Sequence, residues 1–463
     1  MVGRMGNQMS RVPEEIRRFF SVKGNNILLV KGKAGSGKTL FSMECLLEFA
    51  ERGYGYYLST RVDPDVVLSQ YPHISEYLPP ENIIDAVRTP FPRAHSMYEA
   101  LEFSSFPDFL RGLYTKIGGT AHVDRSLVVI DSLDAICDAI KVSEIEFMHV
   151  FSDFARKSNI KTVIITERMK SSKLDYLADG VVSLTYELIN GRMYREMVIE
   201  KLRSVKINNP VVAFTLSGGR FEMLTRFKYP SMSEIKEKGK RIVDVLSKMK
   251  IPHERCTTGS LSLDRAIGLF RYGNFLFYEI GPYVPVGVLT ALTEVHMRGF
   301  LSRNIDVIYI PPEYVDKEFP LRQLELIFGK SIYDRVNMMS LDVEDVEMFV
   351  RAFITERAKV RSPHVAIMFS IDALEHTFGM EDGVRAGTRI LSEGRKMNDI
   401  IVAFAHESSK SRKIFRDMAD RGIRVFYRHG YVFLYGTRPR TPIYNAYFDP
   451  QHEYLDLKLL EIV

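Results

Sequence analysis

The sequence predicts an α/β protein of two tandem lobes, each a mainly parallel sheet covered by helices, with the second lobe a degenerate copy of the first. Three observations carry this. A glycine-rich phosphate loop sits between an apolar run and a helical stretch; further short apolar runs end in acidic residues; and the same order of runs recurs after residue 256 without the loop. At 463 residues the chain is two to three domains long, at the usual ~150 residues each. Hydrophobic and charged contents of 46% and 26% exclude collagenous, low-complexity and largely disordered classes. Three cysteines, Cys45, Cys137 and Cys256, are odd in number and widely spaced, which excludes a disulfide framework and paired metal-ligand spacing. The most apolar stretch, residues 275–292, is broken by Glu279, Pro282 and Pro285, so the expectation is no membrane span and a cytoplasmic protein.

Taken in order, Ile27 to Val30 reads as a buried parallel strand and Leu40 to Arg52 as the helix that follows. Between them, Gly32-Lys33-Ala34-Gly35-Ser36-Gly37-Lys38-Thr39 satisfies the GxxxxGK[ST] pattern. Glycines let the backbone curl so that successive N–H groups, backed by a helix N-terminus, surround an anionic phosphate. Gly32 through Thr39, with Leu40, are therefore the expected nucleotide-binding residues; Lys38 would reach the β and γ phosphates and Thr39 would ligate Mg²⁺. The metal needs a carboxylate as well. Leu127-Val128-Val129-Ile130-Asp131 supplies one at the C-terminal end of an apolar run, where open α/β sheets bind ligands, with Asp134 as the alternative acid or a helix cap. A further strand, Thr162 to Ile165, delivers Thr166 and Glu167 to that same edge. No Asn-Lys-x-Asp tetrad is present to read guanine, which favours ATP over GTP.

These motifs, followed by Ala178-Asp179-Gly180 and by Lys201-Leu202-Arg203 on a late strand, resemble the KaiC-like branch of the RecA superfamily. The resemblance implies RecA-like lobes, an ATPase and a homo-oligomeric ring, often a hexamer, in which Lys201 and Arg203 enter the neighbouring subunit's ATP site. Read from the residues alone, the alternative is two cations on an exposed strand face. One position departs from the family. Where paired glutamates normally orient the attacking water, after Tyr56-Tyr57-Leu58, stands Arg61; a cation is no general base, so hydrolysis would use Asp63, Asp65 or Glu167, or be slow. The Ser59-Thr60-Arg61-Val62 stretch and the tandem layout are similar to archaeal proteins of the GvpD type, named after a gas-vesicle regulator.

The second lobe opens at Thr257-Thr258-Gly259-Ser260-Leu261-Ser262-Leu263-Asp264, which resembles the start of a KaiC-like module. Phe275 to Gly281 takes the place of the first strand, but Pro282 and Pro285 fall where the phosphate loop should be and remove amide donors. Phe369 replaces Asp131, and Ala419-Asp420-Arg421-Gly422 echoes Ala178-Asp179-Gly180. The expected division is an ATP-binding domain over residues 1–228, a linker helix within 229–255 and a degenerate domain over 256–463. Net charge is only +5, yet residues 385–440 hold thirteen basic against five acidic residues, interleaved with aromatics from Arg421 to Tyr435. That composition suits an acidic protein surface or nucleic acid, and it also suits ordinary half-buried strands. The functional expectation is a slow Mg-ATPase acting as a regulatory or assembly protein; the competing classes are a nucleotide-gated binding protein and a DNA-associated recombinase relative.

Overall fold

A computed structural model describes residues 11–59, 64–85, 106–117, 123–170, 172–311, 316, 318–343 and 345–463. The chain divides into two compact units, residues 1–224 with 462–463, and residues 225–461.

The first unit runs α1 (Glu14–Ser21), β1 (Ile27–Gly32), α2 (Lys38–Phe49), β2 (Gly55–Ser59), α3 (Pro64–Gln70), β3 (Ile83–Asp85), α4 (Phe106–Lys116), β4 (Leu127–Asp131), α5 (Leu133–Ile140), α6 (Glu144–Ser158), β5 (Lys161–Thr166), α7 (Ser172–Leu177), β6 (Gly180–Ile189), β7 (Arg192–Leu202), β8 (Val211–Thr215) and β9 (Glu222–Met223). Among the described residues these strands form one sheet in the order β3-β2-β4-β5-β1-β6-β7-β8-β9. Pairing is parallel from β3 to β6 and antiparallel beyond. Strand β1 is buried along its whole length, with Leu28 and Val30 in one core beside Phe41 and Phe214, and Ile27 and Leu29 in the other beside Leu58 and Ile130. Covering a parallel strand on both faces is what turns its sequence into a continuous apolar run.

The second unit runs α8 (Met232–Lys248), β10 (Arg255–Cys256), α9 (Leu261–Ile267), β11 (Phe270–Arg271), β12 (Phe275–Ile280), α10 (Val286–Ser302), β13 (Asp306–Ile310), α11 (Phe319–Phe328), α12 (Ile332–Arg335), β14 (Val336–Met338), α13 (Val346–Lys359), β15 (Val365–Ser370), α14 (Ile371–Lys396), β16 (Ile400–His406), α15 (Arg412–Met418), β17 (Arg421–Arg428), β18 (Tyr431–Arg438), β19 (Tyr444–Phe448) and β20 (Leu457–Glu461). Its main sheet has the order β14-β13-β15-β16-β12-β17-β18-β19-β20, which repeats the first sheet strand for strand. Both units are thus RecA-like α/β lobes.

The expected linker helix is part of the second unit, and the boundary falls at 224/225 instead of 228/229. Helix α8 starts at a capping box between Ser231 and Glu234 and buries Ile235, Gly239, Ile242 and Leu246 against α10, α11 and Leu455. The lysines fill its outer face. A Cβ at Gly239 would lie 2.6 Å from the Ile327 side chain, so the glycine permits the close crossing.

The Ala-Asp-Gly motif has the same mechanical task in each unit. Asp179 Oδ2 accepts the N–H groups of Asn26 (3.1 Å) and Ile27 (3.2 Å), pinning the start of β1, while Oδ1 receives Arg203 at 2.8 Å. Asp420 likewise accepts the N–H of Phe275 at the start of β12 (2.8 Å) and pairs with Arg395. Asp179→Ala leaves two backbone donors without an acceptor and should destabilise the first unit by roughly 2–5 kcal/mol. Asp420→Ala, with one, should cost roughly 1–3 kcal/mol. Urea unfolding measures both; an Asp179→Ala protein as stable as wild type would show that the motif is not a structural pin.

Candidate functional site

Strand β1 ends at Gly32 because the chain must turn there without a side chain: a Cβ would come within 2.8 Å of the Leu184 carbonyl. Gly35 (φ 75°) and Gly37 (φ 97°) then take left-handed conformations, closing the loop onto the first turn of α2. That helix has Gly37 as its N-cap, no capping side chain and no acidic residue in its first turn, so its own sequence places no negative charge at the end that faces the loop. Lys33, Ala34 and Gly35 are exposed at the tip, and Leu40 packs beneath on the core. The Lys38 ammonium is buried across the loop, donating to the carbonyls of Gly32 (2.7 Å) and Lys33 (2.9 Å). The Ser36 hydroxyl is fully buried in the same turn without a hydrogen-bond partner among the described residues.

At the mouth of the loop the Thr39 hydroxyl donates to Asp131 Oδ2 at 2.8 Å. Parallel register brings this about: β4 lies one strand beyond β5 from β1, so Asp131 emerges at the same C-terminal edge as the loop. The same carboxylate oxygen accepts the Tyr57 hydroxyl, also at 2.8 Å. Tyr57 is 1% exposed, and burial followed by the Asp131 charge holds its pKa well above the ordinary tyrosine value, so it remains a donor. A hydroxyl, a carboxylate and a clamp that orients the carboxylate form a hard-oxygen donor set of the kind Mg²⁺ takes.

Asp134 is occupied elsewhere. It accepts the Thr166 hydroxyl (3.2 Å) and the Glu167 N–H (3.1 Å), and lies 3.5 Å from Arg168. Asp372, its counterpart in the second unit, accepts the N–H of His406 in the same way (2.9 Å). A contact retained where no phosphate loop remains fastens α5 to β5, or α14 to β16, and of the two acids only Asp131 contacts Thr39 of the loop. Glu167 is exposed one residue beyond β5, at the phosphate-loop edge.

Lys201 and Arg203 lie at the other end of the sheet. Lys201 pairs with Val181 near the start of β6, and Arg203 follows the end of β7. Lys201 Nζ donates to the carbonyls of Asp175 (2.8 Å), Tyr176 (3.2 Å) and Ala178 (2.6 Å), capping α7, and Arg203 pairs with Asp179. Within one chain, neither is at the phosphate loop. Arg61 and Asp63 lie outside the described residues.

In the second unit the corresponding turn carries exposed Pro282, Tyr283 and Pro285, and α10 begins after Pro285. Of the five Phe and Tyr residues from Arg421 to Tyr435, Tyr431, Phe433 and Tyr435 are at most 4% exposed while Phe426 and Tyr427 are half-buried, and Arg424 pairs with Glu279 and Glu407. Cys45, Cys137 and Cys256 are buried thiols, the latter two pushed up to about 12 by burial. Among the described residues no group of three or more His, Cys, Asp or Glu side chains is set to hold a metal, and no helix is long and apolar enough to cross a membrane.

Residues 16–202, which hold the loop, Asp131 and Tyr57, match the family described as the GvpD gas vesicle protein P-loop domain. This part of the chain is similar to a GvpD-type P-loop domain. Similarity extends beyond it: the chain is 25% identical to Protein GvpD2 of Halobacterium salinarum over 490 aligned positions, covering 98% of this chain and 97% of that protein. It is 27% identical to Protein GvpD1 of the same organism over 333 positions, 70% of this chain and 60% of that protein. The GvpD-type loop is therefore followed by a second unit that its full-length relative also has the length to contain.

Tyr57 was not legible as a site residue, although a tyrosine in a fully buried strand signals a hydroxyl in need of a partner. If it orients the metal carboxylate, Tyr57→Phe should weaken Mg²⁺-dependent nucleotide binding by roughly 10- to 100-fold. Binding measured in EDTA should be unaffected. Equal losses with and without Mg²⁺ would make Tyr57 a packing residue only.

Proposed function

We propose that this protein binds Mg-ATP in its first unit and works as a nucleotide-dependent regulatory protein of the GvpD type. The observation that carries this reading is the 2.8 Å contact between Thr39 and Asp131 at the mouth of a loop whose lysine is already turned inward. Lys38 would exchange its two carbonyl partners for phosphate oxygens, and the Ser36 hydroxyl and the first-turn N–H groups of α2 would complete the cradle. Thr39 and Asp131 would hold Mg²⁺, which supplies charge neutralisation on the β and γ phosphates. ATP is favoured over GTP by the absence of a guanine-reading tetrad.

Hydrolysis is proposed to be slow. By its resemblance to KaiC-like ATPases the chain has Arg61 where they carry a water-orienting glutamate, Asp134 is engaged in holding β5, and among the described residues Glu167 is a carboxylate at that edge, with Asp63 and Asp65 the other candidates. In this reading the ATP-bound state is itself the signal. A homo-oligomeric ring is part of the proposal: Lys201 and Arg203, remote from their own loop, would reach a neighbouring subunit's nucleotide by exchanging α7 and Asp179 for its phosphates. Lys38→Ala should weaken Mg-ATP binding by roughly 100-fold. Wild-type protein sized by light scattering should turn over ATP slowly, and Glu167→Gln should slow it further. Brisk hydrolysis that survives Glu167→Gln would contradict the switch reading, and unchanged binding by Lys38→Ala would contradict the site.

A further inference from the structure

Arg195, in the middle of β7, is 8% exposed, and its guanidinium is spent on main-chain oxygens. Nη1 donates to the Gly35 carbonyl at the tip of the phosphate loop (2.9 Å), and Nε donates to the main-chain oxygen of Val463. The Tyr186 ring lies 5.6 Å from the guanidinium carbon. The N–H of Val463 in turn donates to the Thr215 hydroxyl at the end of β8 (3.2 Å), and Ile462 is 2% exposed within the first unit. Leu216, next in the chain, bears on the other side of the loop: a Cβ at Gly37 would be 3.0 Å from its methyl group. Residues 462 and 463 thus help to seat both supports of the loop, yet they follow β20, a strand of the second unit.

A trans peptide points its C=O and N–H in opposite directions. Holding the Gly35 carbonyl outward on Arg195 therefore turns the Ser36 N–H inward, where it meets the Lys33 carbonyl at 3.2 Å. A cation behind that peptide also polarises it and strengthens the N–H as a donor. We propose that Arg195 is a positioning residue of the phosphate loop, and that Ile462 and Val463 clamp it in place, so that nucleotide at the loop and seating of 462–463 stabilise each other. The proposal rests on the loop being a nucleotide site. Because the clamp continues into β20, it gives the second unit a covalent handle on the first unit's nucleotide state.

Coupling of this kind is reciprocal and typically worth about 5- to 150-fold in affinity. The test uses the full chain with Mg-ATP as the probe. Calorimetry on Arg195→Gln and Ile462→Glu should show affinity falling by about that range, with Arg195→Lys, which keeps the charge but cannot span two oxygens, lying between them and wild type. In wild type, Mg-ATP should slow hydrogen exchange of the segment 457–463, a readout that needs no variant, and Arg195→Gln should lose this protection. Exchange of 457–463 unchanged by saturating Mg-ATP, with Arg195→Gln binding within about twofold of wild type, would overturn the clamp. If Lys38→Ala then still weakens binding as expected, the nucleotide site stands without it. Failure of wild type to bind Mg-ATP would overturn both.

Discussion

The position of strand β1 governs the first unit, and a buried carboxylate sets it. Asp179 holds the strand at its first N–H groups, and five residues further on β1 must end at Gly32, where the phosphate loop begins. The same strand lies between β5 and β6, so its register also decides that Asp131 and Glu167 emerge beside the loop. Moving β1 by one residue would reverse which side chains enter each core, so the pin, the two cores and the site share one geometry.

The second unit preserves that geometry without the phosphate loop. Asp420 pins β12 as Asp179 pins β1, and Asp372 fastens β16 as Asp134 fastens β5. One buried ionic node is retained with its signs reversed. In the first unit Lys31, 2% exposed, meets Asp175 on α7 and Glu200 on β7. At the equivalent place Glu279 meets Arg412 and Arg416 on α15 and Arg424 on β17, the counterpart of β6 and not of β7, so one partner strand changes along with the signs. Removing one partner of such a node strands a buried charge at a cost of about 3–5 kcal/mol, whereas exchanging all the signs together preserves the pairing. The loop had no such constraint. Proline at 282 and 285 cannot donate to a phosphate, and the apolar frame does not need it to.

The frame was legible because its signals are local. Buried parallel strands appear as apolar runs, and the phosphate loop as an eight-residue pattern, Gly32 to Thr39, in strand-loop-helix context. What escaped the sequence was long-range. The apolar stripe of α8 was visible, but its partners Ile327 and Leu455 were not, and the helix read as a linker. Asp131 and Asp134 are three residues apart, one at the end of β4 and the other in the first turn of α5; their contacts separate only through Tyr57 and Thr39 on one side and Thr166 on the other. Arg195 belongs to the loop through Gly35, 160 residues earlier in the chain. The cation-aromatic alternation from Arg421 to Tyr435 carried two meanings; burial places Tyr431, Phe433 and Tyr435 in the core and leaves Phe426 and Tyr427 half-buried.

The central claim is that a duplicated frame holds one nucleotide site, in the first unit. Equilibrium titration of the full chain with Mg-ATP, with protein concentration fixed by amino-acid analysis, tests it most directly. The account predicts a stoichiometry of about one nucleotide per chain. About two per chain would contradict it, because a second site would have to form on a loop from which Pro282 and Pro285 have removed the amide donors.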